Sequence, residues 1–347
     1  MTLSLRQLLT GAAIGALVPA TAFAEAHAEK DKVVLQAQTQ EFIDSLKGST
    51  PINELSPEDA RQVLIDTQTK ADVDMPEASV EKMTLEIGPT GQTDVVVVKP
   101  ANAGDETMPG VLYFHGGGWI LGNFTTHERM IRELANQTGA AYVFVDYAPA
   151  PEQKHPVQIE QDFAVLKHVA ENAADFGIDA NQLALAGDSV GGQMVAVVAQ
   201  MAKEQGGPDL DALAMIYPVT TADLTSGSYE EFADGPWLTK ASMEWFWNAY
   251  LPEDADPMDP MISPLNYDTE ALANLPPSLV ITGANDVLRD EGEAFAAKLV
   301  KAGVETEGTR YDFSIHDFAM LNPIAGTPAP EAAIEQVSGF LKDHFTK

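Results

Sequence analysis

Leu183-Ala184-Leu185-Ala186-Gly187-Asp188-Ser189-Val190-Gly191-Gly192 decides how the rest of the chain is read. An apolar run, then Gly-x-Ser-x-Gly, then a helical stretch from about Gln193 describes strand, sharp turn and helix. That order forces the serine into a strained, exposed elbow. Gly187 and Gly191 allow a backbone approach that side chains would block. Ser189 also stands near a helix N-terminus, where the dipole favours developing negative charge. The five-residue pattern alone also fits a glycine-rich turn without chemistry, so the surrounding sequence has to discriminate.

Upstream lies Val111-Leu112-Tyr113-Phe114-His115-Gly116-Gly117-Gly118-Trp119. Three glycines after an apolar strand leave successive backbone N–H groups unobstructed, and such donors can face the oxygen of a tetrahedral acyl intermediate. A phosphate-binding loop fits poorly, since neither a Walker lysine nor the dinucleotide spacing is present. His115 precedes the glycines and is expected to anchor the loop by hydrogen bonding.

Short apolar runs bounded by Gly, Pro and Asp recur at Val95–Val98, Ala141–Val145, Leu213–Ile216 and Leu279–Ile281. Helical stretches separate most of them, among them His127–Gln137, Ile159–Asn172 and Glu291–Lys301. This alternation predicts an α/β protein, a largely parallel sheet covered on both faces. Residues 33 to 80 are polar with helical spacing at Phe42, Ile43 and Leu46 and at Val63, Leu64 and Ile65. Ser56-Pro57-Glu58-Asp59 reads as a helix start. Residues 221 to about 255 break the alternation with Trp237-Leu238 and Trp245-Phe246-Trp247-Asn248, which reads as an inserted lid.

On sheets of this kind a serine nucleophile is followed in chain order by its acid and then its histidine. Of seven histidines only His316 and His344 follow Ser189. His344 is three residues from the C-terminus and is expected in solvent, whereas His316 follows the strand-like Thr309–Phe313. Asp286 stands at the mouth of the Ser278–Gly283 strand. Asp290, a turn later, is explained by the ordinary preference for acids in a first helical turn.

Composition narrows the function classes. The chain has 347 residues, with 20 Lys+Arg against 52 Asp+Glu, a net charge of -32 and no cysteine. Such acidity repels phosphate backbones and anionic lipid surfaces, which argues against nucleic-acid and peripheral-membrane roles. Without cysteine there are no disulfides, thiolate nucleophiles or Cys-ligated metals. No histidine–carboxylate cluster has ligand spacing, so no metal is expected. Residues 1–24 hold one base, Arg6, no acid, an apolar stretch over Leu8–Val18 and then Ala22-Phe23-Ala24, the pattern of a cleaved signal peptide. The expectation is a periplasmic or secreted protein beginning near Glu25, with no membrane span.

At these motifs the chain resembles the bacterial hormone-sensitive-lipase-like (family IV) esterases of the α/β-hydrolase superfamily. The matching residues are His115–Trp119, Gly187–Gly192, Pro276-Pro277, Asp286–Ala294 and His316, echoed by Tyr217-Pro218, Trp245–Asn248 and Ser263-Pro264-Leu265. The likeness runs over about residues 80–345. It implies a mostly parallel eight-stranded sheet flanked by helices with a helical cap, made of an N-terminal segment over residues 25–80 and the 221–255 insertion on a catalytic domain over 81–347. It implies Ser189 as nucleophile, His316 as base and Asp286 as orienting acid. The oxyanion donors would be the N–H groups of Gly117, Gly118 and Val190, with Gly116 as alternate. Trp119, Asp188 and Trp237 are candidate substrate contacts, and Phe124 and Phe246 candidate pocket walls.

There are departures from the family pattern. Val190 stands in place of Ala, Val287 in place of Pro, and Asp317 in place of the Gly that usually follows the histidine. Tyr147-Ala148-Pro149-Ala150-Pro151-Glu152 lacks the usual structural arginine. Val190 is expected to narrow the acyl side of the pocket, and Asp317 either to raise the basicity of His316 or to face water. The implied activity is hydrolysis of short- to medium-chain carboxylic esters without a cofactor. The expected partner is a small-molecule ester, with a homodimer left open. Aromatic or polymer-derived esters and amides are alternatives on the same triad. From another class, a non-catalytic ligand receptor can use this fold, as some plant hormone receptors resemble, but those lack the triad histidine.

Overall fold

The apolar runs become strands of one sheet in a computed structural model that describes residues 33–104 and 106–345. The expected signal peptide, residues 1–24, lies outside the described residues. Elements follow in the order α1 (Ala37–Ser45), α2 (Pro57–Thr69), β1 (Ala78–Leu85), β2 (Thr93–Pro100), β3 (Met108–Phe114), α3 (Phe124–Thr138), β4 (Ala141–Asp146), α4 (Val157–Glu171) and α5 (Ala173–Phe176). They continue with β5 (Ile178–Asp188), α6 (Val190–Gln205), β6 (Ala212–Ile216), α7 (Gly227–Glu231), α8 (Lys240–Tyr250), α9 (Thr269–Leu272), β7 (Ser278–Asn285), α10 (Arg289–Lys301), β8 (Thr306–Ile315) and α11 (Pro328–Phe345).

The eight strands lie in the order β1-β2-β4-β3-β5-β6-β7-β8. β2 runs antiparallel to both β1 and β4, and every other pairing is parallel. Burial explains the texture of the sequence. Val111 to Phe114 on β3 and Leu183 to Ala186 on β5 have no exposed surface, because helices cover both faces and leave no polar side to alternate with. Each such Val, Leu or Phe contributes roughly 1.5–3 kcal/mol by leaving water. Register then sets Phe114 beside Gly187, so the loop after β3 meets the turn after β5.

That meeting depends on a missing side chain. A Cβ on Gly191 would collide with the Phe114 carbonyl oxygen, so only glycine lets the first turn of α6 settle against the end of β3.

Residues before the sheet fold as the capping pattern predicts. Ser56 accepts the Asp59 N–H at 3.1 Å, and Pro57 opens α2. Arg61 on α2 reaches the segment that lacks the expected arginine. Its Nε donates to the Ile120 carbonyl at 2.8 Å, and its Nη2 donates to the Ala150 carbonyl at 2.9 Å and to Glu152 at 2.6 Å. A guanidinium therefore holds this loop, supplied from a different part of the chain. His344 is buried rather than solvated. α11 turns its ring inward, so Nδ1–H donates to the Phe340 carbonyl at 2.8 Å.

Asp162 on α4 is fully buried and neither carboxylate oxygen has a hydrogen-bond partner. Burial holds its pKa well above the ordinary carboxyl value, so the folded chain keeps it protonated while the unfolded chain releases the proton above about pH 4. The unfolded state then binds fewer protons, and stability falls as pH rises past that point. Asp162→Asn is expected to raise Tm by a few degrees near pH 8, with the gain shrinking toward pH 4. An equal gain at both pH values in a thermal melt would show that ionisation is not its cause.

Candidate active site

Three parallel strands of the same half of the sheet, β7 and β8 adjacent and β5 one strand away across β6, are each followed by one candidate residue. Ser189 follows β5, Asp286 follows β7 and His316 follows β8. Ligand sites of open α/β sheets lie at the carboxyl ends of the strands, and residues far apart in the chain meet there. Ser189 Oγ is 3.0 Å from His316 Nε2, and Asp286 Oδ2 is 2.7 Å from His316 Nδ1. A carboxylate can only accept, so Nδ1 carries the proton and Nε2 is left to accept from the serine hydroxyl. Asp286 is steadied through Oδ1 by the Leu288 N–H at 2.9 Å. The Tyr217 ring, on the turn after β6, packs edge-on against His316 with centroids 4.9 Å apart.

The elbow is strained as its pattern predicts, although Ser189 is buried rather than exposed. Ser189 has φ 54° and ψ -119°, a conformation that L-residues adopt only when the surroundings over-determine it. Backbone bonds supply that constraint. Ser189 N–H donates to the Ile216 carbonyl at 2.8 Å, and the Ser189 carbonyl accepts the N–H groups of Gly192 and Val219 at 3.0 Å.

Burial works against a charged imidazole at His316, but the Asp286 and Asp317 carboxylates outweigh it and raise the pKa to about 9. His115 takes the opposite course. Burial and the neighbouring His127 hold its pKa at about 3, so it is a neutral ring, stacked on Tyr147 with centroids 4.1 Å apart. Its Nδ1–H donates to the Gly116 carbonyl at 2.8 Å, which is the anchoring role expected from the sequence.

Gly117 and Gly118 border a cavity of about 250 Å³ that also reaches Ser189 and His316. Both take positive φ, 108° and 63°. Val190 opens α6, so its N–H is one of the first-turn donors without an intrahelical acceptor. The Val190 side chain is fully buried and does not reach the cavity, contrary to expectation.

Of the candidate substrate contacts, only Trp237 lines the cavity, and Phe246 lines it as well. Trp119 does not. It is fully buried and stacked on Tyr250 at 4.1 Å, so it pins α8 to the loop beneath. Phe124 is buried edge-on against Phe144. Asp188 is also displaced from its expected role. It has no exposed surface, accepts from the Tyr113 hydroxyl at 2.8 Å and the Gly116 N–H at 2.9 Å, and lies 3.3 Å from His127 Nε2. Burial opposes both charges of this pair, yet each partner overcomes it in the other, lowering the Asp188 pKa and raising that of His127. Asp188 therefore braces the glycine loop from below.

Sequence reading missed one contributor, and one partner of another. Residues from Leu46 to Leu64, expected as part of an N-terminal cap segment but not named as pocket residues, form one wall of the cavity. Asp317 takes the first of its two expected courses, its charge raising the His316 pKa, and it also has a second partner. Its Oδ2 accepts the Trp237 indole N–H at 2.8 Å, while Oδ1 lies 3.3 Å from His316 Nε2. The departure from glycine was the available signal, but the indole that Asp317 holds comes from 80 residues away.

Sheet order, elbow and glycine loop together define a hydrolase of the α/β type. The family described as alpha/beta hydrolase fold matches across residues 111–320, and the chain belongs to it. Over 87% of its length the chain is 38% identical to 86% of a protein of Acanthamoeba polyphaga mimivirus named as a putative α/β hydrolase. It is 38% identical to carboxylesterase NlhH of Mycobacterium tuberculosis, over 72% of this chain and 80% of that one. Among solved structures, a thermostable esterase from Pseudomonas putida superposes with a TM-score of 0.88 at 43% identity, covering 90% of this chain and 98% of that one.

Proposed function

We propose that Ser189, His316 and Asp286 are the nucleophile, base and orienting acid with which this carboxylic-ester hydrolase cleaves short- to medium-chain esters, as an exported member of the bacterial hormone-sensitive-lipase-like group. The observation that carries the reading is the 3.0 Å approach of Ser189 Oγ to His316 Nε2 at the floor of the cavity. Export rests on the character of residues 1–24 alone.

In this mechanism His316 takes the Ser189 proton as the oxygen attacks the ester carbonyl, and Asp286 holds the ring in the competent tautomer. The N–H groups of Gly117, Gly118 and Val190 receive the charge of the tetrahedral intermediate. Protonated His316 passes its proton to the leaving alcohol, and water repeats the cycle on the acyl-enzyme. A cavity of about 250 Å³ lies below the usual range for drug-sized ligands, which favours the short end of the acyl range. In a series of p-nitrophenyl esters run beside a dialkyl phthalate, acetate and butyrate should lead, with laurate and the phthalate far behind. Preference for either of the latter would overturn the substrate assignment and favour aromatic or long-chain esters.

The base works only when neutral. Because Asp286 and Asp317 raise the His316 pKa to about 9, the rising limb of kcat/KM should extend well above pH 7 before it levels. A plateau already reached near pH 6 would show that a different group governs the step.

A further inference from the structure

Within the described residues, the cavity wall around Ser189 contains two ionisable side chains, His316 and Asp317. Everything else that borders it is apolar, hydroxyl-bearing or glycine, so a charge carried by a ligand meets one fixed opposite or like charge there. That charge is placed where departure occurs. Asp317 Oδ1 lies 3.3 Å from Nε2 of His316, the nitrogen that hands its proton to the leaving alcohol in the reading above, on which this inference rests. Oδ1 is buried and has no hydrogen-bond partner, while Oδ2 is occupied by Trp237 at 2.8 Å. One oxygen is therefore tethered by the indole, and the other is held beside the His316 ring, so the carboxylate acts on a ligand through its charge. Burial, with the Asp188 and Asp286 charges, raises the Asp317 pKa, and the His316 ring and the Trp237 N–H offset this only in part.

Asp317 has φ 62°, in the left-handed region where glycine would meet the same turn without strain.

We propose that Asp317 is a specificity-determining residue, a charge filter beside the leaving group that admits esters of neutral alcohols and rejects those whose alcohol arm carries a carboxylate. The size of the effect follows from taking a carboxylate on the alcohol arm at a separation of roughly 5 Å from Oδ1. At an effective dielectric of about 20 to 40 that repulsion corresponds to about a fifteenfold to a few-hundredfold loss. The apolar wall also penalises any carboxylate, so discrimination by the parent enzyme alone does not identify the filter. Its change on removing the charge does.

The test uses two isosteric substrates, acetylglycolamide and acetylglycolate, with released acetate followed by titration at constant ionic strength. Asp317→Asn should narrow the amide-to-carboxylate ratio of kcat/KM by about tenfold or more, chiefly by improving the carboxylate substrate. Asp317→Gly, which suits the positive φ, should move the ratio the same way and carries the test if the Asn variant fails to fold. A residue that only braces Trp237 would slow both substrates alike, so an unchanged ratio in folded variants overturns the proposal. If the parent cleaves neither the amide nor p-nitrophenyl acetate, the Ser189 reading fails, and the filter with it.

Discussion

Ser189→Ala is expected to lower ester turnover by on the order of 10⁴–10⁶-fold, to the level left by binding and the oxyanion donors. The substitution isolates chemistry from structure unusually well. The elbow is held by backbone bonds from Ser189 to Ile216, Gly192 and Val219, none of which uses the hydroxyl. Alanine keeps the Cβ, and with it the strain at φ 54°, so the turn has no reason to relax. The hydroxyl's partner is His316 Nε2, and nothing else in the site loses a contact. Tm should therefore change little while a serine-directed phosphonate no longer attaches. Turnover within tenfold of the parent would remove Ser189 from the mechanism.

The second large effect is expected from Gly117→Ala, a fall of roughly 10²–10³ in kcat with a smaller change in KM. A Cβ at Gly117 would stand 2.5 Å from the Leu121 carbonyl oxygen, and φ is 108°. The obstacle is backbone in the same tight turn, where Ile120 and Leu121 donate to the Gly117 carbonyl, so the loop must move and carry its N–H donors off target. Gly139→Ala is the matched control. That residue also has positive φ, at the end of α3, but a methyl group there would have nothing within 4 Å. It should cost about 1 kcal/mol of stability and leave kcat as it was. Equal kcat losses in the two variants would mean that strain, not donor placement, explains the Gly117 effect.

Much of this was legible in the chain. Val111 to Phe114 and Leu183 to Ala186 read as buried strands because a doubly covered sheet allows no polar alternation, and the residues are indeed fully buried. The Ser189 elbow and the positions of Asp286 and His316 at strand ends were legible because local geometry and chain order constrain them strongly. Trp119 was misread for the opposite reason. Nothing local distinguishes a tryptophan that faces a ligand from one stacked on Tyr250. Asp188 was misread because its partners, Tyr113, Gly116 and His127, are brought to it only by the pairing of β3 with β5.

By itself, then, the sequence determined the α/β architecture, the sharp turn at Ser189 and the open backbone of the glycine loop, since each follows from backbone requirements that a few adjacent residues express. Tertiary structure alone decided the walls. It set residues 46–64 and Trp237 around Ser189, sent Arg61 to the loop at Ala150, and put Asp317 between an indole and Nε2 of His316. Those relations join segments far apart in the chain, and their energies depend on burial and on distances of a few ångströms, quantities that come into being only when the sheet has closed its order.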